Sequence, residues 1–144
     1  MKFHGIRENH LYRRVYQNGR SNVTPTVAVH LLRDRKAHIL QIQNPTKEKY
    51  NRIGIQASKK IGGAVQRNRA KRVIREALRK IDLECGMKKG YLIVISPRTK
   101  CVSAGLHEVE KDLRESLSVL GILGPEEGGE GDMGPVEPAD RESR

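Results

Sequence analysis

The sequence contains no tryptophan, one phenylalanine and four tyrosines in 144 residues, so where its few aromatic rings fall is informative. Cysteine is also scarce. Cys85 and Cys101 stand sixteen positions apart with no CxxC, and the five histidines are scattered, which excludes a zinc-finger spacing or a disulfide framework and leaves two reduced thiols. No run of about 18 apolar residues exists to span a bilayer, and the start Met1-Lys-Phe-His-Gly-Ile-Arg7 lacks the apolar stretch of a signal peptide. A cytoplasmic location without a membrane partner is the resulting expectation. Acidic residues are thin and dispersed over positions 1–123, with no cluster suited to two-metal phosphoryl chemistry, so a self-sufficient metal nuclease is disfavoured.

Basic residues, by contrast, are abundant. The net charge is +11, and seven of the seventeen acids lie after Gly124; positions 1–123 alone hold 26 basic and 10 acidic residues, a net +16. Such a field attracts phosphate chains and speeds association with them. The charge concentrates in Ser58-Lys-Lys-Ile-Gly-Gly-Ala-Val-Gln-Arg-Asn-Arg-Ala-Lys-Arg-Val-Ile-Arg-Glu-Ala-Leu-Arg-Lys80, where nine Lys or Arg residues face one acid, Glu76. At 100° per residue, Ala70, Val73, Ile74, Ala77, Leu78 and Ile81 share one arc and Lys71, Arg72, Arg75 and Arg79 the opposite one. The apolar arc suits a core and the cations suit a polyanion.

The rest of the chain reads as one α+β domain over 1–123. Residues 8–18 form a short helix with Leu11 and Val15 on one stripe, Tyr12 and Tyr16 on the next, and Gly19 to end it. Thr26-Val-Ala-Val-His-Leu-Leu32 and Ala37-His-Ile-Leu-Gln-Ile-Gln43 are strand candidates joined as a hairpin by Arg33-Asp-Arg-Lys36. After the loop 44–51, Arg52-Ile-Gly-Ile-Gln-Ala57 resumes a period of two, with Ile53, Ile55 and Ala57 toward the core and Gly54, Gln56 and Ser58 away from it. The basic helix follows, then the apolar strand Gly90-Tyr-Leu-Ile-Val-Ile-Ser96 and a helix over 103–120 stopped by Gly121. Residues 124–144 are rich in Gly, Pro and acids and are expected to be a disordered tail. Composition favours a solubilising role for it over folding back on the basic face as an electrostatic mimic of RNA.

The segment from Lys59 to Arg75, with Arg67-Asn-Arg69 at its centre, resembles the signature of the protein component of bacterial ribonuclease P, and the resemblance runs from about Ile6 to Leu123. It implies an αβββαβα sandwich of the ribosomal-protein type with a left-handed βαβ crossover, which periodicity does not show and the usual handedness would oppose. It also implies an RNA-based enzyme that removes the 5′ leader of precursor tRNA. There the RNA subunit performs the chemistry with Mg2+ held chiefly by RNA, and the protein contributes no catalytic residue and no metal site. The implied partners are the catalytic RNA and precursor tRNA, with no obligate protein partner. An rRNA-binding ribosomal or assembly protein is the competing reading that the signature disfavours.

Two sets of site residues follow from the resemblance. The catalytic RNA would meet Lys59, Lys60, Arg67, Asn68, Arg69, Lys71, Arg72 and Arg75; Arg67, Lys71 and Arg75 recur at i, i+4 and i+8, and an arginine can grip a phosphate with two bonds. Asn68 fits either a contact to RNA or to a metal-bound water, or an amide that fixes the local turn. Ile61-Gly-Gly-Ala64 fits a close approach to RNA or a plain turn. The leader would meet Tyr12, Arg13, Tyr16, His30 and Gln56 in a cleft between the first helix and the sheet. Aromatic faces stack on unpaired bases with little sequence preference, at about 1–3 kcal/mol per base; the alternative is a core tyrosine with its hydroxyl bonded at the rim. His30 falls where the family often carries an aromatic residue, and imidazole offers less surface. The segment 34–51 is an insertion in the resemblance, expected to carry an extra strand.

Overall fold

A computed structural model describes residues 4–43 and 50–124 of the chain. The elements run β1 (His4–Gly5), α1 (Asn9–Asn18), β2 (Arg20–Val23), β3 (Val27–Arg33), α2 (Arg35–Gln43), β4 (Arg52–Ile55), α3 (Ala64–Glu84), β5 (Tyr91–Pro97) and α4 (Leu106–Val119). Short 3-10 turns occupy Lys59–Ile61 and Thr99–Val102. The tail expected over 124–144 lies outside the described residues beyond Gly124, as does most of the loop expected over 44–51.

One five-stranded sheet organises the molecule, in the order β1-β4-β5-β3-β2. β5 runs parallel to β4 and antiparallel to β3, with Gly54, Val94 and His30 in one cross-strand row. β4 and β5 are neighbours joined through α3, the parallel crossover that the apolar run of β5 implies. Alternation then divides the strand residues between two cores. Val27, Val29, Leu31, Ile53, Ile93 and Ile95 meet α3 and α4 on one face. Leu92 and Val94 meet Leu11 and Val15 of α1 on the other.

α3 buries the arc read from its sequence: Ala70, Ile74, Ala77, Leu78 and Ile81 are covered, and Arg72, Arg75 and Arg79 are exposed. Each fully buried Ile or Leu contributes about 1.5–3 kcal/mol, so this face alone fixes the helix on the sheet. Gly19 ends α1 with an extended φ of −83°, not a left-handed one. It is needed for a different reason: a Cβ there would lie 2.6 Å from the carbonyl oxygens of both Val15 and Leu31.

The expected strand over 37–43 is instead helix α2. β3 has β5 on one side and β2 on the other, so no edge remains for a segment following Arg33 to pair with as a hairpin. Ile39 and Ile42, one turn apart, stay 52% and 78% exposed. β2, a polar tetrapeptide without alternation, takes the place the hairpin reading gave to 37–43. Gly54 faces away from the core that holds Ile53, as its alternation predicts, and that side is covered too: Gly54 is buried against α1.

Buried polar ties join distant parts of the chain. Thr26 donates its backbone N–H (3.1 Å) and its hydroxyl (2.6 Å) to Asp112 Oδ2 of α4. Arg52 donates two bonds to the buried carboxylate of Asp34, at 2.9 and 3.1 Å, clamping β4 to the end of β3. That bond holds the Arg52 guanidinium above its ordinary pKa.

Candidate nucleic-acid interface

Two surfaces carry the residues singled out from the sequence, and they meet at one side chain. The first is the outer face of α3 with its approach. Successive exposed positions four apart along a helix are about 6 Å apart, close to the spacing of phosphates on a single strand. Among the described residues none of Lys59, Lys60, Arg67, Lys71, Arg72 and Arg75 is ion-paired, whereas Arg79 has Glu76 at 3.7 Å and Lys80 has Glu110 at 3.4 Å. The approach turns at Gly62, whose φ of +140° and ψ of −160° a side chain would strain, so the Gly-Gly pair is a turn with a steric requirement. Arg69 points elsewhere: its Nη1 donates to the carbonyl of Val102 at 2.7 Å and holds the 99–102 turn against α3.

The second surface is a cleft of about 540 Å³ lined by Tyr12 and Tyr16 of α1, Ile55 at the end of β4 and Gln56 to Ser58 beyond it, Ser96 and Pro97 at the end of β5, and Lys71 of α3. The sheet residues reach it because Ser96 follows Leu92 and Val94 on the face toward α1. Tyr16 is held upright by two bonds: its hydroxyl donates to Gln56 Oε1 at 2.6 Å and lies 3.2 Å from Ser96 Oγ. Behind it the His30 ring meets Tyr16 edge-on, centroids 4.7 Å apart at 71°. Tyr12 sits deeper. Its hydroxyl donates to the Ile6 carbonyl at 3.2 Å, and burial followed by the neighbouring Tyr16 pushes its pKa above the ordinary value, so it stays a neutral phenol.

The Ribonuclease P family profile matches residues 1–121. The ribonuclease P protein component of Clostridium botulinum (strain Langeland / NCTC 10281 / Type F) is 33% identical over 122 residues, covering 85% of this chain and 98% of its own. This chain belongs to the ribonuclease P protein family. A second relative, the ribonuclease P protein component of Clostridioides difficile (strain 630), is 30% identical over 76% of this chain and 85% of its own. The solved ribonuclease P protein of Staphylococcus aureus has the same fold, with a TM-score of 0.66 at 23% identity over 84% of this chain and 98% of its own. The protein is therefore the subunit that partners the ribonuclease P RNA in an endoribonuclease acting in tRNA 5′ processing.

Within this ribonuclease P protein the expected site residues separate into groups. Lys59, Lys60, Arg67, Asn68, Arg72 and Arg75 share the α3 face or its approach. Asn68 stands in the second turn rather than at the start, exposed, and its amide bonds to none of the described residues, which removes the turn-fixing reading. Tyr12, Tyr16 and Gln56 converge in the cleft; His30 backs Tyr16; Arg13 is exposed on α1 and does not line the cleft. Ser96 and Pro97 were not legible as site residues, because their strand reads as continuous core up to its last residues. Among the described residues no group of three or more His, Cys, Asp or Glu could hold a metal ion, and no helix is long and apolar enough to cross a membrane.

Proposed function

We propose that the Tyr12/Tyr16 cleft takes the single-stranded 5′ leader of precursor tRNA while the outer face of α3 holds the ribonuclease P RNA. The observation that carries this reading is the composition of the cleft: two tyrosines, one fixed by hydroxyl bonds, beside Lys71, a cation with no ion partner among the described residues. A ring and a cation side by side bind a base and its phosphate without reading the base's identity, which suits a leader that differs between precursors. Tyr12 supplies the floor and Tyr16 the exposed ring. Gln56 and Ser96 hold the Tyr16 hydroxyl and His30 backs the ring, so stacking does not have to order it first.

Magnesium serves the reaction from the RNA side on this reading, and the described residues offer it no group of three or more His, Cys, Asp or Glu. The holoenzyme works in the cytoplasm and assembles without a further obligate protein. The test compares precursor and mature tRNA with the reconstituted holoenzyme. Tyr16→Ala should reduce affinity for the precursor by about tenfold or more and leave mature tRNA and assembly with the RNA unchanged. Arg72→Ala should weaken assembly with the RNA instead. Equal losses of precursor and mature tRNA on Tyr16→Ala would refute the cleft assignment.

A further inference from the structure

One acid stands among the cations of α3. Glu76 is the single Asp or Glu between Ser58 and Lys80, a stretch in which nine residues are Lys or Arg. Among the described residues its ion partner is Arg79 at 3.7 Å, and the two side chains are 53% and 57% exposed. A pair so exposed adds little to stability, because water screens it and two long side chains lose freedom to hold it. Lys80, the partner a helix would supply four residues on, is turned to Glu110 at 3.4 Å. The fold therefore makes little use of the Glu76 carboxylate, and toward a phosphate chain that carboxylate is repulsive.

Its place on the helix gives it company. Residues four apart line up in rows along α3. Arg67, Lys71 and Arg75 form one row, which reaches the cleft through Lys71. Asn68, Arg72 and Glu76 form the adjacent row, and all three are exposed. The first row holds donors only. The second sets an amide and a carboxylate, both able to accept, on either side of one arginine. Asn68 and Glu76 are about 12 Å apart along the axis, so both can meet one groove.

A single strand held by its phosphates presents acceptors alone, and an acid on that path has no bond to make. Double-helical RNA presents donors as well. Its shallow groove displays ribose 2′-hydroxyls beside the phosphates, while its deep groove is too narrow for side chains to read.

We propose that α3 seats in the shallow groove of a double-helical segment of the ribonuclease P RNA, the Arg67, Lys71 and Arg75 row on phosphates and Glu76, with Asn68, accepting from ribose 2′-hydroxyls. This rests on the reading of α3 as the seat of that RNA. It makes Glu76 a residue that selects the partner: without a hydroxyl in reach it only repels, and with one it accepts a charge-assisted bond that offsets the repulsion.

The test uses the full chain with two probes of one sequence, an RNA hairpin and its 2′-fluoro counterpart, which keeps the same helical form and lacks the hydroxyl donor. The parent should prefer the RNA hairpin on the order of tenfold, as for bonds to a charged group. Glu76→Ala should remove most of that preference, weakening the RNA hairpin and tightening the 2′-fluoro one. Glu76→Gln keeps an acceptor oxygen and should retain a larger share. Asn68→Ala should weaken the RNA hairpin alone. Equal tightening of both hairpins by Glu76→Ala would show repulsion and nothing more; that result, no change in either, or no preference in the parent would each overturn the proposal. So would a lowered urea midpoint in Glu76→Ala, which would return the acid to the fold. A preference lost as expected, with assembly on the ribonuclease P RNA unchanged in both Glu76→Ala and Arg72→Ala, supports the groove contact and refutes the placing of that RNA on α3.

Discussion

The ring of Tyr12 rests on the bare Cα of Gly54: a methyl group built there would come within 2.6 Å of ring atoms Cε1 and Cζ. The glycine in β4 is thus part of the cleft floor, although it lines nothing itself. Gly54→Ala should lift the ring, break the bond from its hydroxyl to Ile6 and cost about 1–3 kcal/mol, as overpacking does. Urea unfolding checks the stability, and precursor tRNA affinity should fall with it. A variant as stable as the parent would show that Tyr12 is not seated there.

Arg67 and Arg69 belong to one sequence motif but have different surroundings. Arg67→Ala should remove one phosphate contact, lowering the slope of log affinity against log salt by about 0.9 while leaving the unfolding midpoint unchanged. Arg69→Ala removes the bond to the Val102 carbonyl and should cost about 1 kcal/mol of stability. Salt titrations of RNA binding paired with urea curves separate the two. Identical behaviour of both variants would contradict the distinction.

Asp112 takes both the N–H and the hydroxyl of Thr26, all of them buried. Asp112→Ala strands two donors away from water and should destabilise by about 2–4 kcal/mol. Thr26→Val combined with it should recover part of that loss, because the hydroxyl would no longer be left without a partner. A double variant no better than the single would place the cost elsewhere.

Glu110 links stability to pH. Two bonds from Arg114, at 2.7 and 3.0 Å, hold its carboxyl below its ordinary value of 4.5, with help from Lys80 and against the cost of burial. Arg114 also reaches Glu84 and the Cys85 thiol, which ties α3 to α4. The unfolded chain binds the proton more tightly than the folded one, so this contribution is complete above about pH 4.5 and is lost as pH falls through the lowered folded value. Glu110→Gln should therefore be less stable than the parent at pH 6 and converge with it near pH 3. A constant gap across that range would assign the loss to packing.

α1, β3, α3, β5 and α4 could be read from the chain because each buries one face or one run, and burial leaves a period behind. α2 misled because Ala37 to Gln43 alternates like a strand while β3 has β5 and β2 on its two sides and no free edge to receive it, a fact of strand order that no local window contains. The ion pair of Asp34 with Arg52 was hidden for a similar reason: eighteen residues separate partners that only the finished sheet brings together. In the site, ring spacing and cation spacing were visible. The division of labour within Arg67-Asn-Arg69 was not, since the Val102 carbonyl that occupies Arg69 lies 33 residues away.

Lys71 lines the cleft and stands on the helix read as the seat of the catalytic RNA. On that reading a single ammonium answers to two polyanions. A substitution there that suited one RNA would have to be tolerated by the other, so position 71 carries two constraints where Arg72 or Tyr16 carries one. The same sharing gives it one use that neither surface has alone: the neutralisation of Lys71 would be felt by substrate and ribozyme together, and their responses to it could be read as a single coupled signal.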